Sequence, residues 1–325
     1  MTSPTPVLTP STDRPSAATA VALITGGGRG IGRLLAQGLS ANGTSVALVA
    51  RSGDELDETV ELIERAGGTA AAARADVTDP TDLASAVADL RRRLGPVDLL
   101  INNAGVVGPI GPLWETDARD WWATMDVNLR GIVLTTGLVL PEMVARRRGR
   151  IINMTSQAGA HRWPLVSAYS VSKAAVVKLS ENLAHETIRH GISVFSVHPG
   201  LLPIGMSEDI AARPPATAYA AQVRDWAMRE LGAGRGADPE QAVALVLRLA
   251  TGDTDALSGR HLSVHDDLDA ILARLPEVHA GDLYVMRPDR LRTRARGAPS
   301  RRRPAGPAYL RGRRADVWRA ALARR

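Results

Sequence analysis

The sequence has no cysteine among its 325 residues. Disulfide scaffolds, thiolate metal sites and cysteine nucleophiles are therefore excluded at the outset. Lysine is nearly absent too: Lys173 and Lys178 stand against thirty-eight arginines, which makes a lysine at a special spacing unusually informative. No uninterrupted apolar run approaches the roughly 20 residues that span a bilayer. Nor does the N-terminus carry a basic stretch followed by an apolar core, so no signal peptide is expected and the expected location is cytoplasmic, with no membrane partner. What is present is 45% apolar residues, enough for a sizeable core and too many for wholesale disorder.

The net charge of +6 is unevenly spread. From Arg287 to Arg325 fourteen arginines accompany two acids, a local net of +12 that leaves residues 1–286 at −6. The basic character belongs to a tail, and the body is acidic. Residues 1–19 hold five Thr, four Pro and three Ser, a composition that cannot offset the entropy of ordering and reads as a flexible leader.

From Ala20 onward short apolar runs alternate with amphipathic stretches. Strands are expected at 21–24, 45–50, 69–74, 97–101, 150–154, 193–197 and 260–264, the third weakened by its alanines. Helices are expected at 31–42, 55–66, 118–140, 168–190 and 239–250, and another opens at Asp79-Pro80, an N-cap followed by proline at the first helical position. Seven strands separated by helices, most of them uninterrupted apolar runs, imply an α/β fold: a doubly wound, parallel seven-stranded sheet with helices on both faces, over residues 20–266. The stretch 201–236 breaks the rhythm directly after the sixth strand, where ligands bind in such folds, and is expected to be a substrate lid.

The first strand runs into Thr25-Gly26-Gly27-Gly28-Arg29-Gly30-Ile31-Gly32 and then a helix. Glycines there let a pyrophosphate approach the backbone, and the helix N-terminus adds free N–H groups and partial positive charge. Further on, Tyr169 and Lys173 lie four apart on a helix and so on one face. A tyrosine near pKa 10 is too reluctant an acid and too weak a base at neutral pH; an adjacent ammonium is expected to pull it down into the working range.

The glycine spacing, together with Asn102-Asn103-Ala104-Gly105, Asn128, Ser156, Tyr169-Ser170-Val171-Ser172-Lys173 and His198-Pro199-Gly200, resembles the short-chain dehydrogenase/reductase family, in its single-domain form with a Rossmann-like fold. The resemblance covers residues 20–265. It implies a catalytic set of Asn128, Ser156, Tyr169 and Lys173. Tyr169 would exchange a proton with a carbonyl or alcohol oxygen, and Ser156 would hydrogen-bond that oxygen. Lys173 would hold the nicotinamide ribose and Asn128 would anchor a water leading to solvent. Cofactor contacts are implied for Gly26, Gly28, Arg29, Gly30, Ile31, Gly32, Arg51, Asp76, Val77, Asn103, Ala104, Gly105, Pro199 and Gly200. Where an NAD-specific site carries an acid at the end of the second strand, this chain has Ala50 followed by Arg51; with Arg29 in the loop, that favours NADP(H) over NAD(H). One departure is Ile204, where the family often has a threonine holding the carboxamide.

The expected activity is an NADP(H)-dependent ketoreductase or alcohol dehydrogenase acting on a small carbonyl or secondary alcohol. Alternatives are an epimerase or dehydratase on the same scaffold, or a nucleotide-binding regulator working through its basic arm. Ser156, Trp163 and Leu202 are candidate substrate contacts, although Trp163 could equally roof the core. Trp121 and Trp122 are expected in the core or in the interface of a homodimer or homotetramer. No metal site is expected; His261, His265, Asp266 and Asp267 read as a solvated cluster at the sheet end. Apolar residues from Leu268 to Val285 suggest a docked extension over 267–289. Residues 290–325 read as a solvated, mobile Arg-rich arm without a nucleic-acid partner.

Overall fold

The computed structural model describes residues 20–287. The expected leader 1–19 and arm 290–325 lie outside those residues.

Each of the seven expected runs forms a strand, with ends shifted by at most two residues. The first half comprises β1 (Val21–Thr25), α1 (Gly30–Ala41), β2 (Ser45–Ala50), α2 (Gly53–Arg65), β3 (Ala70–Arg74), α3 (Pro80–Leu94) and β4 (Leu99–Asn102). The second comprises α4 (Ala118–Met125), α5 (Gly131–Arg146), β5 (Gly149–Met154), α6 (Ser167–Thr187), β6 (Ile192–His198), α7 (Met206–Ala212), α8 (Ala218–Gly232), α9 (Pro239–Thr251) and β7 (His261–Ser263). Two short helices, α10 (Leu268–Leu272) and α11 (Leu275–Ala280), follow.

All six strand pairings are parallel, in the order β3-β2-β1-β4-β5-β6-β7. The order reverses between β1 and β4, and ligands bind in the crevice such a reversal opens at the carboxyl ends of the strands. Side chains alternate across the sheet: Ala22 and Ile24 join one core with Leu35, Leu48, Phe195 and Val246, while Val21 and Leu23 join the other with Leu83, Leu90, Val139 and Val194. The alanine-rich β3 is held at the sheet edge by register with β2, from Val46↔Ala70 to Ala50↔Arg74.

Capping follows the sequence. Asp79 accepts from the Thr81 and Asp82 N–H groups ahead of α3, and Asp238 accepts from Glu240 N–H ahead of α9. One expected helix differs. Instead of running unbroken from 118 to 140, it is interrupted by a π turn at Asp126–Arg130. Taken across that turn, Ala118–Arg146 is 29 residues long and apolar enough to cross a membrane by length and composition. Its residues Ile132, Val139 and Met143 are instead buried against the sheet.

Beyond β7, Leu268, Ile271 and Val278 belong to the same core as β1 and β6, with Leu272, Leu275 and Tyr284 packed against it. The His261 N–H donates to the Tyr284 carbonyl at 2.7 Å.

Candidate active site

The crevice begins at the glycine loop between β1 and α1. Gly26 and Gly30 have positive φ (+67° and +55°), and a Cβ on Gly32 would stand 2.1 Å from the Gly26 carbonyl oxygen. The loop is locked from several sides. Asn103 Nδ2 donates to the carbonyls of Thr25 and Gly26, both at 3.0 Å, and Thr25 Oγ1 accepts from the N–H groups of Asn103 and Ala104. The Gly28 carbonyl accepts from Arg33 Nη2 at 2.6 Å and from Thr59 Oγ1 at 3.0 Å. Neither Arg33 nor Thr59 was foreseen. Thr25 sits within the recognised loop motif, yet nothing in its spacing announces that it joins β1 to β4.

The neighbouring residues divide. Arg51 is exposed, and its carbonyl accepts from Arg74 Nε at 3.0 Å, which brings a second, unforeseen arginine beside it. Burial raises the Asp76 carboxyl, but hydrogen bonds from Thr78 N–H and Oγ1 and the Arg51 charge outweigh it and hold the group below its ordinary value. Val77 turns its side chain into the core under α5. Arg29 is already engaged: it forms a two-pronged pair with Asp209 of α7 at 2.9 and 2.5 Å and lies 3.5 Å from Glu55.

The proton-handling residues sit at the ends of β5 and along α6. Ser156 follows β5; its hydroxyl accepts from the Ala158 N–H and hydrogen-bonds Tyr169. Lys173, one turn further along α6, is 4% exposed, donates to the Met154 carbonyl at 2.9 Å, and has its Nζ 5.7 Å from the centre of the Tyr169 ring. Asn128 is completely buried in the π turn. Its Oδ1 accepts from Val106 N–H at 2.8 Å, and its Nδ2 donates to the Val106 carbonyl at 2.9 Å and to Ser172 Oγ at 3.0 Å. Ser172 in turn donates to the Tyr169 carbonyl at 2.7 Å. The π turn thus fits Asn128 between the β4–α4 loop and α6, a use to which such bulges are often put. Most of its side chain is committed, which leaves the main chain and one Oδ1 lone pair to hold a water.

The electrostatics correct one expectation. Burial pushes the Tyr169 phenol up, and the Ser156 hydrogen bond only partly counters it. Burial likewise pushes the Lys173 ammonium down to about 8. In a dry cleft, desolvation of the phenolate outweighs what an ammonium alongside the ring gives back.

The expected solvated histidine cluster is corrected in part: His265 and Asp267 are exposed, while His261 and Asp266 are not. His261 is largely buried, its Nδ1 3.2 Å from Ser196 Oγ and 3.3 Å from Thr155 Oγ1, and burial pushes it down to about 4. His198, buried beside it with Nδ1 unpartnered, is pushed to about 3 by burial and then by His261, His265 and His161. Asp266 accepts from Ser263 N–H, and Asp267 caps α10.

Above the crevice lies the 201–236 segment, carrying α7 and α8. Gly200, at φ +89°, passes so close beneath Ala237 that a Cβ would approach its Cβ to 2.2 Å. Leu202, expected against substrate, is buried with Ala237 and Ala242 at the root of this segment, and Ile204 packs on the same cluster with Ile31. Trp163 meets Trp226 of α8 edge to face, ring centres 4.5 Å apart, so its packing partner is the lid and not the core. Trp121 donates to Ser167 Oγ at 3.1 Å, whereas Trp122 is 63% exposed, which removes the core reading for the latter.

A doubly wound sheet with a glycine loop at its switch point and a serine, tyrosine and buried lysine beyond β5 defines the dinucleotide-dependent oxidoreductase class. The short chain dehydrogenase family model matches residues 20–214, and the chain belongs to that family. It is 33% identical over 243 residues to the gluconate 5-dehydrogenase of Gluconobacter oxydans, covering 75% of this chain and 92% of that protein. Among solved structures it resembles a variant of actinorhodin polyketide ketoreductase with NADPH, with a TM-score of 0.69 and 30% identity over 76% of this chain and 96% of that one. It also resembles an NAD+-bound xylitol dehydrogenase, with a TM-score of 0.69 and 25% identity over 77% and 98% of the two chains.

The residues present fit a nicotinamide dinucleotide. The glycines leave a backbone cradle that side chains would fill, and Lys173 has spent one of its three N–H donors on Met154, leaving two for a ribose diol.

Proposed function

We propose that the protein is an NADP(H)-dependent ketoreductase, or alcohol dehydrogenase in the reverse direction, with Tyr169 as general acid and base. The observation that carries this reading is the Tyr169 hydroxyl held by Ser156 beside the buried Lys173 ammonium. The bound nicotinamide supplies or accepts the hydride. Tyr169, kept protonated by burial, gives its proton to the carbonyl oxygen, and Ser156 donates a hydrogen bond to the same oxygen. Lys173 steadies the phenolate left behind and holds the cofactor ribose. Asn128 fixes the loop at Val106 and, through Ser172, the start of α6.

NADP(H) is favoured by the absence of an acid at Ala50 and by the adjacent Arg51 and Arg74, which could clamp a 2′-phosphate. The ketoreductase with NADPH agrees in fold; the NAD+-bound neighbour marks the alternative. Comparing kcat/KM for NADPH and NADH with a carbonyl panel tests the reading. Higher efficiency with NADH would sink the cofactor assignment, and turnover surviving Tyr169→Phe would sink the mechanism. The Trp163–Trp226 pair suits an apolar or cyclic ketone. Exposed Trp122, Val133 and Val171 on α4, α5 and α6 support a homodimer or homotetramer.

A further inference from the structure

Arg29 joins two parts of the molecule that are 180 residues apart in the chain. Its guanidinium points Nη1 and Nη2 at the two carboxylate oxygens of Asp209 on α7, while Nε faces Glu55 in the first turn of α2. Beneath this pair the two backbones nearly touch: a Cβ on Gly30 would stand 3.1 Å from the Cα of Gly205, just ahead of α7. The 201–236 segment is therefore fastened to the glycine loop across the crevice, by an exposed ion pair and a glycine–glycine contact beside the apolar cluster that Ile31 and Ile204 share. Two carboxylates surround one guanidinium, so Arg29 has no spare positive charge for a phosphate while the pair is closed. Arg51, four residues before Glu55, has no carboxylate within ion-pair distance among the described residues.

We propose that Asp209 is a specificity-determining residue that competes with the 2′-phosphate of NADP(H) for Arg29, so that binding of the phosphorylated cofactor releases α7 from the glycine loop. This rests on the NADP(H) reading. Arg29 lies between α7 on one side and the first turn of α2, next to Arg51, on the other, so a guanidinium freed from Asp209 is already beside the end of β2 where the 2′ substituent would lie. A doubly charged phosphate accepting the same two N–H groups outcompetes one carboxylate, and the exposed setting of the pair makes the exchange cheap. NAD(H), with a hydroxyl at that position, has nothing to offer Arg29 and leaves the fastening closed. Asp209 thereby costs NADP(H) affinity and couples the identity of the cofactor to the position of the lid.

The test uses 2′,5′-ADP and 5′-AMP as probes of the full-length protein, with calorimetric affinities and amide hydrogen exchange over residues 206–212 as readouts. Asp209→Asn should tighten 2′,5′-ADP about fivefold, a change of the size expected when one exposed ion pair is removed, and leave 5′-AMP unchanged. In the wild type, 2′,5′-ADP but not 5′-AMP should speed exchange over 206–212, and Asp209→Asn should show that faster exchange without ligand. Arg29→Gln should lose the response of 206–212 to 2′,5′-ADP. If the wild type prefers 2′,5′-ADP while Asp209→Asn alters neither affinity nor exchange, the fastening is overturned and the NADP(H) reading stands. If the wild type binds both probes equally and Arg51→Gln makes no difference, the NADP(H) reading falls and the proposal with it.

Discussion

The floor of the crevice and its roof are built on different physics. On the floor, Asn128, Ser172 and Lys173 are buried, and each donates or accepts where little water competes. Across the roof, the 201–236 segment is held by the Arg29–Asp209 pair, the Trp163–Trp226 edge contact and a 3.3 Å hydrogen bond from the Tyr219 hydroxyl to Glu115. Buried, mutually satisfied polar groups are costly to break because the partner left behind loses its hydrogen bond with nothing to replace it. Exposed ion pairs contribute at most about 1 kcal/mol, because water and salt replace them readily. On the proposed function, proton chemistry would rest on the part that cannot rearrange, and selection among cofactors and substrates on the part that can.

That contrast can be broken from either side. The largest effect should come from Tyr169→Phe, which should lower kcat by about 10²–10⁴-fold while leaving the thermal midpoint nearly unmoved, since only a hydroxyl is removed. Next, Asn128→Ala should destabilise the fold by about 2–3 kcal/mol in urea titration, because the Val106 N–H and carbonyl lose their partner in a buried place. If that substitution proved neutral, the floor would not be the rigid half.

The buried histidines supply a graded test. His198 and His261 are pushed down to about 3 and about 4 from an ordinary 6.5, so the unfolded chain binds more protons than the folded one between those values. Stability is therefore fully present above about pH 6.5 and should fall as the pH is lowered toward 4, with His198→Asn flattening the slope. Carbonyl reduction should in turn decline above about pH 8, where Lys173 loses its charge. The smallest effect should be that of Trp226→Leu: about 0.5–1.5 kcal/mol in stability, with KM for the carbonyl moved more than kcat. A loss in kcat as large as that of Tyr169→Phe would mean that the roof takes part in the chemistry.

Much of the site was legible in the order of residues, but not its electrostatics. Tyr169 and Lys173 were readable because helical spacing alone puts them on one face, and the glycines because a strand precedes and a helix follows them. The direction of the Tyr169 shift was misread, since a four-residue spacing reveals the ammonium and says nothing of the depth at which both groups lie. The burial of Leu202 was not legible because its neighbours, Ala237 and Ala242, come from more than thirty residues away. The π turn at Asp126–Arg130 left no mark on hydrophobic periodicity: one extra residue in a turn shifts the pattern less than ordinary variation does. Ser172, a variable position inside Tyr-x-x-x-Lys by its spacing, meets Asn128 only through the fold.

Sequence by itself determined the local conformations and their succession: where strands begin, which aspartates cap helices, and which side chains share a helical face. These depend on contacts within a few residues, and an alternation of apolar runs with helices admits few parallel sheets. Tertiary structure alone decided what depends on distant segments meeting. It joined Arg29 to Asp209, locked the Gly28 carbonyl with Arg33 and Thr59, and buried His198 at the sheet end. It also set how far water withdraws from Tyr169 and Lys173. Desolvation and ion pairing are properties of a place, and a place exists only once the chain has closed around it.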